Sequence, residues 1–204
     1  MCYHAALILF SPHMKKFSPW FIVLGFLVVI GLWLMSSYNG LVTSKGNVDR
    51  QWAQVETQYQ RRVDLVPNLV STVKGAANFE QETFTEVTQA RSAWAQAKTI
   101  GDRGGEIQAA AGFDSALSRL LVTVEAYPQL QATQAFRDLM TQLEGTENRI
   151  AVARKDYNDA VFGYNVRVQR FPGKLAAMIF GYAPEKSFEA APGSDTAPVV
   201  NFEQ

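Results

Sequence analysis

The stretch VDRQWAQVETQYQRRVDLVPNLVSTVKGAA, residues 48–77, contains the pattern that decides the fold. Apolar or small residues recur in it at steps of three or four, about once per helical turn. The series comprises Val48, Trp52, Val55, Tyr59, Val63, Val66, Val70, Val73 and Ala77. This period predicts a long amphipathic helix with one buried stripe. Pro67 falls inside it and removes the hydrogen bond to the Val63 carbonyl, so we expect a bend there.

An apolar stretch precedes this helix. WFIVLGFLVVIGLWLM, Trp20–Met35, has no charged side chain and no polar group except two indoles. Extended to residues 17–38 it would form a helix of roughly 33 Å, which is enough to cross a hydrocarbon core. The sequence predicts one transmembrane anchor at 17–38. A signal peptide cleaved around Ser36–Ser37 is the alternative, but large side chains persist almost to the polar boundary.

The charges flanking the anchor predict its orientation. Lys15 and Lys16 precede it closely, whereas the first cations after it are Lys45 and Arg50. The positive-inside rule then places residues 1–16 in the cytoplasm and the rest of the chain outside. Residues 1–13 are expected to be an overcalled start, with translation beginning at Met14.

The composition of the segment after the anchor excludes several classes of function. The chain has 19 acidic and 19 basic residues, and two of the basic ones precede the anchor, so the remainder has a net charge of −2. A nucleic-acid-binding protein would need a basic face. Cys2, His4 and His13 all lie upstream, so zinc sites, di-iron centres, Ser-His-Asp triads and Cys-His dyads have no residues there to form them.

Three further helices are predicted beyond the first. Asn78 and Gln81 resemble a capping box for a second helix at about 79–98, and TIGDRGG, residues 99–105, predicts a turn. A third helix covers about 106–125. A fourth begins at Pro128 and ends before the Phe171-Pro172-Gly173 sequence. The fold class is therefore all-α, an antiparallel up-and-down bundle of two long and two short helices over 39–182, preceded by the transmembrane helix.

The helix lengths predict an uneven bundle. Two helices are about twice as long as the others, so four helices can surround a core only in the half distant from the membrane. The segment FPGKLAAMIFGY, residues 171–182, returns at the level of the exposed two-helix stalk. It would cover the stalk, lie on the bilayer or contact a partner. Its predicted membrane-side residues are Phe171, Leu175, Met178, Ile179 and Phe180. Residues 183–204 are predicted to be a mostly disordered tail in which Phe188 could dock.

Several strings together resemble a known family. They are RRVDLVPNLVSTVKG (61–75), VTQARSAW (87–94), the long segment 127–165 and FPGKLAAMIFGY. In this order and spacing, and with the N-terminal anchor, the chain is similar to the LemA family of bacterial membrane proteins over about residues 36–190. The resemblance implies a single-pass protein of the bacterial cytoplasmic (inner) membrane with an extracytoplasmic helical bundle. It implies no activity.

Polar side chains at helical spacing are the candidate binding residues. Arg61, Asp64 and Asn68, followed by Ser71, lie on one face of the first helix around Pro67. They form a partner or ligand site, a solvated stripe, or an interhelical hydrogen-bond set. Arg154 and Glu147 fall in the apolar stripe of the fourth helix, where a charge needs a partner. Asp64 and Arg62 are the expected cross-helix partners, which would make a register-fixing ion pair or a polar pocket.

The sequence YNDAVFGYNVRV repeats Tyr-Asn-x-x-Val after seven residues, at 157 and again at 164. A seven-residue repeat is typical of a supercoiled helix pair. We expect these rings to pack against Trp52 and Tyr59, with ligand binding as the alternative.

The function predicted from these observations is a non-enzymatic interaction or scaffold protein of the cell envelope. Its expected partners are the membrane, other envelope proteins and copies of itself, with no nucleic acid, cofactor or metal. A ligand or peptide binder between helices one and four near Pro67 is the first alternative. A hydrolase using carboxylates, such as Glu144/Glu147 or Asp156/Asp159, or a Ser–Lys pair is the second.

Overall fold

The computed structural model describes residues 19–74 and 81–189, and every regular element in these two ranges is a helix. The all-α prediction is confirmed. The predictions about residues 1–18, Asn78 and residues 190–204 fall outside the described ranges. The helices are α1 (Pro19–Lys74), α2 (Gln81–Ile100), α3 (Arg103–Glu125), α4 (Pro128–Gln131), α5 (Gln134–Gln169) and α6 (Gly173–Phe180).

The first helix joins the apolar stretch to the bundle without a break. A window of 18 residues in α1 has a mean hydropathy of 2.2, and none of it is buried by other parts of the protein. The apolar stretch and the first helix of the bundle are therefore parts of one continuous helix. The helix continues through the polar residues that follow, and their hydroxyls bond carbonyls one turn back, as Thr43 does to Asn39 and Ser44 to Gly40. The helix also continues through Pro67, where the expected bend stays a prediction.

The distal half of the bundle, residues 49–74 of α1 with α2, α3 and the first half of α5, is a four-helix arrangement. The α1 stripe predicted from the sequence is buried from Val48 to Val73, with Val70 partly buried and Leu69 fully buried in addition. Tyr59 stacks on Trp94 of α2 with ring centroids 6.2 Å apart. The four helices thus meet through the face that the helical period selects.

The connection between α2 and α3 is tighter than predicted. Helix α2 ends at Ile100 because the next residue, Gly101, adopts a left-handed conformation with φ +73°. Asp102 then caps α3, because its carboxylate accepts hydrogen bonds from the Gly104 and Gly105 amides at 3.2 and 3.0 Å. The predicted seven-residue turn therefore contracts to two residues.

The predicted fourth helix is in fact two helices. Pro128 starts α4, which ends after one turn, and Thr133 in an extended conformation separates it from α5. The Thr133 hydroxyl donates to the Leu130 carbonyl at 2.8 Å and accepts from the Phe136 amide at 3.4 Å. It serves as the N-cap of α5, which interrupts the helix that Pro128 begins.

The proximal half of the bundle, residues 38–48 of α1 with residues 158–169 of α5, contains only two helices. The chain turns back at Gly173, where an added Cβ would lie 2.4 Å from the Arg167 carbonyl oxygen, so only glycine fits this corner. Helix α6 and the extended residues 182–189 then cover the α1–α5 pair. The structured body therefore extends to Glu189 and includes the first part of the predicted tail.

Candidate functional site

The three predicted binding residues on α1 lie on its exposed face. Arg61, Asp64 and Asn68 are all exposed. Asp64 accepts a hydrogen bond from Gln60 at 2.9 Å, and the Asn68 carbonyl accepts one from Thr72 at 2.8 Å. These contacts are all local to α1, so the three side chains form a polar stripe that is accessible to a partner.

Arg154, the fourth predicted residue, does not join this stripe. Its guanidinium contacts the Asp114 carboxylate of α3 and the Tyr59 hydroxyl. The predicted pairing of Arg154 with Asp64 is wrong, because Asp64 is exposed and accepts from Gln60 of its own helix while Arg154 pairs with Asp114. Arg154 is thus an internal residue that links α5 to α3.

Arg154 belongs to a group of charges between the helices of the distal half, here called the charge cluster: Arg62, Asp114, Glu147 and Arg154, of which Glu147 lies at the exposed edge. Arg62 donates to Asp114 at 2.6 Å and also contacts Glu147. The predicted Arg62–Glu147 contact across the helices is confirmed. Opposite charges alternate through the cluster and connect α1, α3 and α5, so each helix is fixed in register with the other two.

Burial controls the electrostatics of this cluster. It raises the pKa of Asp114 to about 7, while the Arg62 charge acts to lower that pKa and the Glu147 charge to raise it. Burial also lowers the pKa of Arg154. No three His, Cys, Asp or Glu side chains within residues 19–74 and 81–189 are grouped so as to hold a metal ion.

The C-terminal strap, residues 182–189, reaches the charge cluster through Phe188. The Arg154 guanidinium lies 5.3 Å from the centroid of the Tyr59 ring and 4.9 Å from that of the Phe188 ring. The Phe188 ring also stacks on Trp52 with centroids 5.9 Å apart. Cation–π contacts of this kind contribute on the order of 1 kcal/mol when partly desolvated.

The Tyr-Asn repeat of α5 holds the main chain of the strap. Asn158 donates to the Phe188 carbonyl at 3.0 Å and accepts from the Phe188 amide at 2.9 Å. Asn165 makes the same pair of bonds with Glu185, both at 2.8 Å. The tyrosines add one bond each, from Tyr157 to the Lys186 carbonyl at 2.7 Å and from Tyr164 to the Ala183 carbonyl at 2.8 Å.

The register of this contact follows from two repeat lengths. Seven residues of α-helix rise about 10.5 Å, and three residues of extended or polyproline chain cover about 9–10 Å. Asn158 and Asn165, seven apart, therefore meet strap residues three apart. The predicted packing of Tyr157 on Trp52 is confirmed at 5.0 Å between ring centroids. The hydrogen-bonding role of the repeat is additional to the supercoiled seam expected from sequence.

A second set of charges joins the strap to the α2–α3 turn. Lys45 of α1 contacts both Asp49, at 3.3 Å, and Glu185 of the strap, and Arg103 lies 3.4 Å from Glu185. Burial acts to raise the pKa of Asp49, but the hydrogen bond from Arg103 and the charge of Lys45 outweigh it and lower that pKa. The strap is thus tied to both halves of the bundle.

The five predicted membrane-side residues are all exposed around α6. The fractional exposure is 73% for Phe171, 71% for Met178 and 64% for Ile179, and it is lower for Leu175 and Phe180. The face that α6 turns to the stalk consists instead of Ala176 and Ala177, which are buried. Small residues inside and large apolar residues outside are the reverse of what a helix covering a core would show.

The sequence pattern of the LemA family matches residues 51–202. The chain belongs to the LemA family. Magnetosome protein MamQ 2 of Paramagnetospirillum magneticum (strain ATCC 700264 / AMB-1) is 31% identical over 190 residues, which cover 82% of this chain and 70% of that protein. MamQ of Magnetospirillum gryphiswaldense is 30% identical over the same shares of the two chains. Protein LemA of Metamycoplasma hominis is 23% identical over 157 residues, which cover 76% of this chain and 71% of that protein.

These similarities confirm the family resemblance drawn from the sequence strings. The chain belongs to the LemA family, and the apolar stretch of α1 is not buried by other parts of the protein. Together these two observations make this a membrane-associated protein.

The sequence interpretation missed two acidic residues of the LemA bundle. Asp114 links the two arginines of the charge cluster. The sequence feature that could have revealed it is the position of an acid beside the apolar stripe of α3, next to the buried Phe113. Glu106 of the same helix is 3% exposed, and burial, together with the charge of Glu56, raises its pKa. A charged residue on or beside a helical stripe was recognised on α5 but not on α3.

Proposed function

We propose that this LemA-family protein is a non-enzymatic, membrane-anchored interaction protein of the bacterial cell envelope. It spans the cytoplasmic membrane once through the apolar part of α1, with its N-terminus inside and its bundle outside. The exposed stripe of Arg61, Asp64 and Asn68 contacts its protein partner, which is another envelope protein or a second copy of the chain.

The continuity of α1 is the observation that carries this proposal. One helix connects the apolar stretch to the distal end of the bundle, with no linker between Met35 and the first buried residue, Leu41. From Tyr38 to Lys74 it rises about 54 Å. A linker would let the bundle tumble, whereas a continuous helix keeps the distance along its axis from the apolar stretch to each surface constant. A surface held at a defined distance from the apolar stretch is what a scaffold requires.

Photo-crosslinking in intact cells tests the proposal. A benzophenone amino acid is placed at position 61, 64 or 68 of the full chain, and at the exposed Ser118 of α3 as a matched control. We expect the same discrete adduct from the three α1 positions and none from position 118, with mass spectrometry identifying an envelope protein or this chain in the adduct. Indistinguishable adducts from all four positions, or adducts with cytoplasmic proteins only, would contradict it.

One observation favours the peptide-binding alternative, although at a different place from that predicted. Asn158 and Asn165 each bond the amide and the carbonyl of one strap residue, and such bonds do not depend on the side chains of the bound segment. A peptide from a partner would have to displace the strap. Addition of a synthetic peptide of residues 182–189 should then accelerate amide exchange in the strap, and an unchanged exchange rate would exclude this alternative.

A further inference from the structure

The exposed apolar patch of α6, defined by Phe171, Leu175, Met178, Ile179 and Phe180, lies at the level where α1 leaves its apolar stretch. The Phe180 ring contacts the Tyr38 ring of α1 with centroids 4.7 Å apart, and the Tyr182 ring lies 6.4 Å from the Tyr38 ring. Gly173 and Phe171 border a cavity that Ser36 and Ser37 also line. The patch is therefore continuous with the lower end of the bundle and the upper end of the anchor.

The charges around the patch complement lipid phosphates. Residues 160–184 contain three cations, Arg167, Arg170 and Lys174, and no Asp or Glu. Residues 20–48 of α1 contain Lys45 and likewise no acid. Arg170 and Lys174 are exposed beside the patch. A surface with apolar side chains projecting between cations is typical of helices that lie in the bilayer interface.

We infer that α6 is a lipid-binding element: its apolar patch inserts into the outer part of the bilayer beside the anchor, and Arg170 and Lys174 contact lipid phosphates. The inference rests on the proposed membrane anchor. It makes α6 a second attachment, which fixes the tilt of the bundle relative to the membrane, because one helix alone leaves tilt and rotation free. Inserting Met178 and Ile179 removes from water the two most exposed aliphatic side chains of α6.

Spin-label depth measurement on the full chain tests this inference. Cys2, the single cysteine, is replaced by Ser, and labels are attached to Met178→Cys, Ile179→Cys, Leu27→Cys or Val152→Cys in separate proteins. Each is reconstituted in nanodiscs of phosphatidylcholine and phosphatidylglycerol. Collisions with oxygen, which partitions into lipid, are compared with collisions with a water-soluble nickel complex. Leu27 is the anchor control, and Val152, exposed on α5 about 27 Å of helix before Arg170, is the aqueous control.

We expect the oxygen-to-nickel ratio at 178 and 179 to be several-fold above that at 152 and to approach that at 27. A high ratio at 27 with aqueous ratios at 178 and 179 would overturn the lipid-binding inference and leave the anchor in place. Aqueous ratios at all four positions would contradict the proposed anchor itself. Spin–spin broadening at 178 and 179, with both collision rates low, would assign the patch to a second copy and overturn the inference.

A second variant separates insertion from folding. Met178→Gln together with Ile179→Gln changes two exposed side chains, so the helix content measured by circular dichroism should be unchanged. A label on Leu175→Cys should then lose its lipid-like ratio. The matched control, Val152→Gln with Phe162→Gln, changes two exposed apolar residues of α5 and should leave that label in lipid. A lipid-like ratio retained after the 178/179 change would mean that the patch does not hold α6 at the bilayer.

Discussion

The distal half of the bundle is enclosed by four helices, whereas only α1 and α5 form the proximal half, yet both halves have a buried interior. In the proximal half Leu41, Tyr164 and Val168 are buried as completely as the core residues of the distal half. The distal half closes by helix-on-helix packing and a charge cluster. The proximal half closes because α6 packs Ala176 and Ala177 against the helix pair, and because Tyr and Asn side chains bind the main chain of a strap that has few apolar residues of its own. A pair of helices can thus be covered by one short helix and a hydrogen-bonded segment in place of two more long helices.

The largest expected effect lies at Tyr157, where the two halves meet. Its ring is fully buried against Trp52 and Phe188, and its hydroxyl bonds the strap. Tyr157→Ala should lower the free energy of unfolding by about 4 kcal/mol, measured by chemical denaturation of the full chain in detergent. Phe162→Ala, on the same helix but 72% exposed, should cost no more than about 0.5 kcal/mol. Similar losses in the two variants would mean that the halves are not joined through Tyr157.

The next effect concerns the distal half alone. Arg62→Ala removes the cation between Asp114 and Glu147, and the loss should be about 3 kcal/mol because Asp114 keeps only one of its two arginines and Glu147 loses the cation that it contacts. The neighbouring Arg61→Ala changes an exposed side chain and should cost less than about 0.5 kcal/mol. Equal values from these adjacent arginines would contradict the role assigned to the charge cluster.

The proximal half should respond selectively to Asn165→Ala. This change leaves the Glu185 amide and carbonyl without their partner and should cost about 2 kcal/mol. Hydrogen exchange should accelerate in residues 183–189 and remain unchanged in α2 and α3. Asn68→Ala, in the exposed stripe of α1, is the control and should leave strap exchange unaltered. Faster exchange in α2 and α3 after Asn165→Ala would show that the two halves are one cooperative unit.

The smallest effect is a dependence on pH in the distal half. Burial raises the pKa of Asp114 from its ordinary value of 3.8 to about 7, so the folded protein keeps a proton that the unfolded chain releases at lower pH. The stability that this proton provides is complete below about pH 4 and is lost as the pH rises through about 7. In Asp114→Asn, the decrease in the free energy of unfolding between about pH 4 and pH 7 should be smaller than in the wild type by on the order of 1 kcal/mol. A variant that loses as much stability as the wild type would exclude Asp114 as the titrating group.

The sequence predicted the distal half better than the proximal half for a physical reason. The helical period of Val48, Trp52, Val55 and Tyr59 acts within one helix, so the buried stripe could be derived from local spacing alone. The strap has no such period. Its position depends on the match between seven helical residues in α5 and three strap residues that follow them by 20 to 30 positions in the chain.

The residues of the candidate site likewise differ in how well local spacing predicted their positions. The exposed position of Arg61, Asp64 and Asn68 agrees with one of the alternatives given by their spacing, a solvated stripe. The partner of Arg154 could not be derived, because Asp114 lies on another helix and its height relative to α5 is set by the length of the connections. The predicted Arg62–Glu147 contact succeeded because both residues border long stripes that face each other.

Hydrogen exchange of the full-length protein in nanodiscs, followed by mass spectrometry, tests most directly whether the strap completes the proximal half. We expect amides in residues 39–48 of α1 and 158–168 of α5 to exchange as slowly as those in the distal parts of the same helices, and residues 183–189 to be protected with them. Rapid exchange of all three proximal segments, beside a protected distal half, would contradict it.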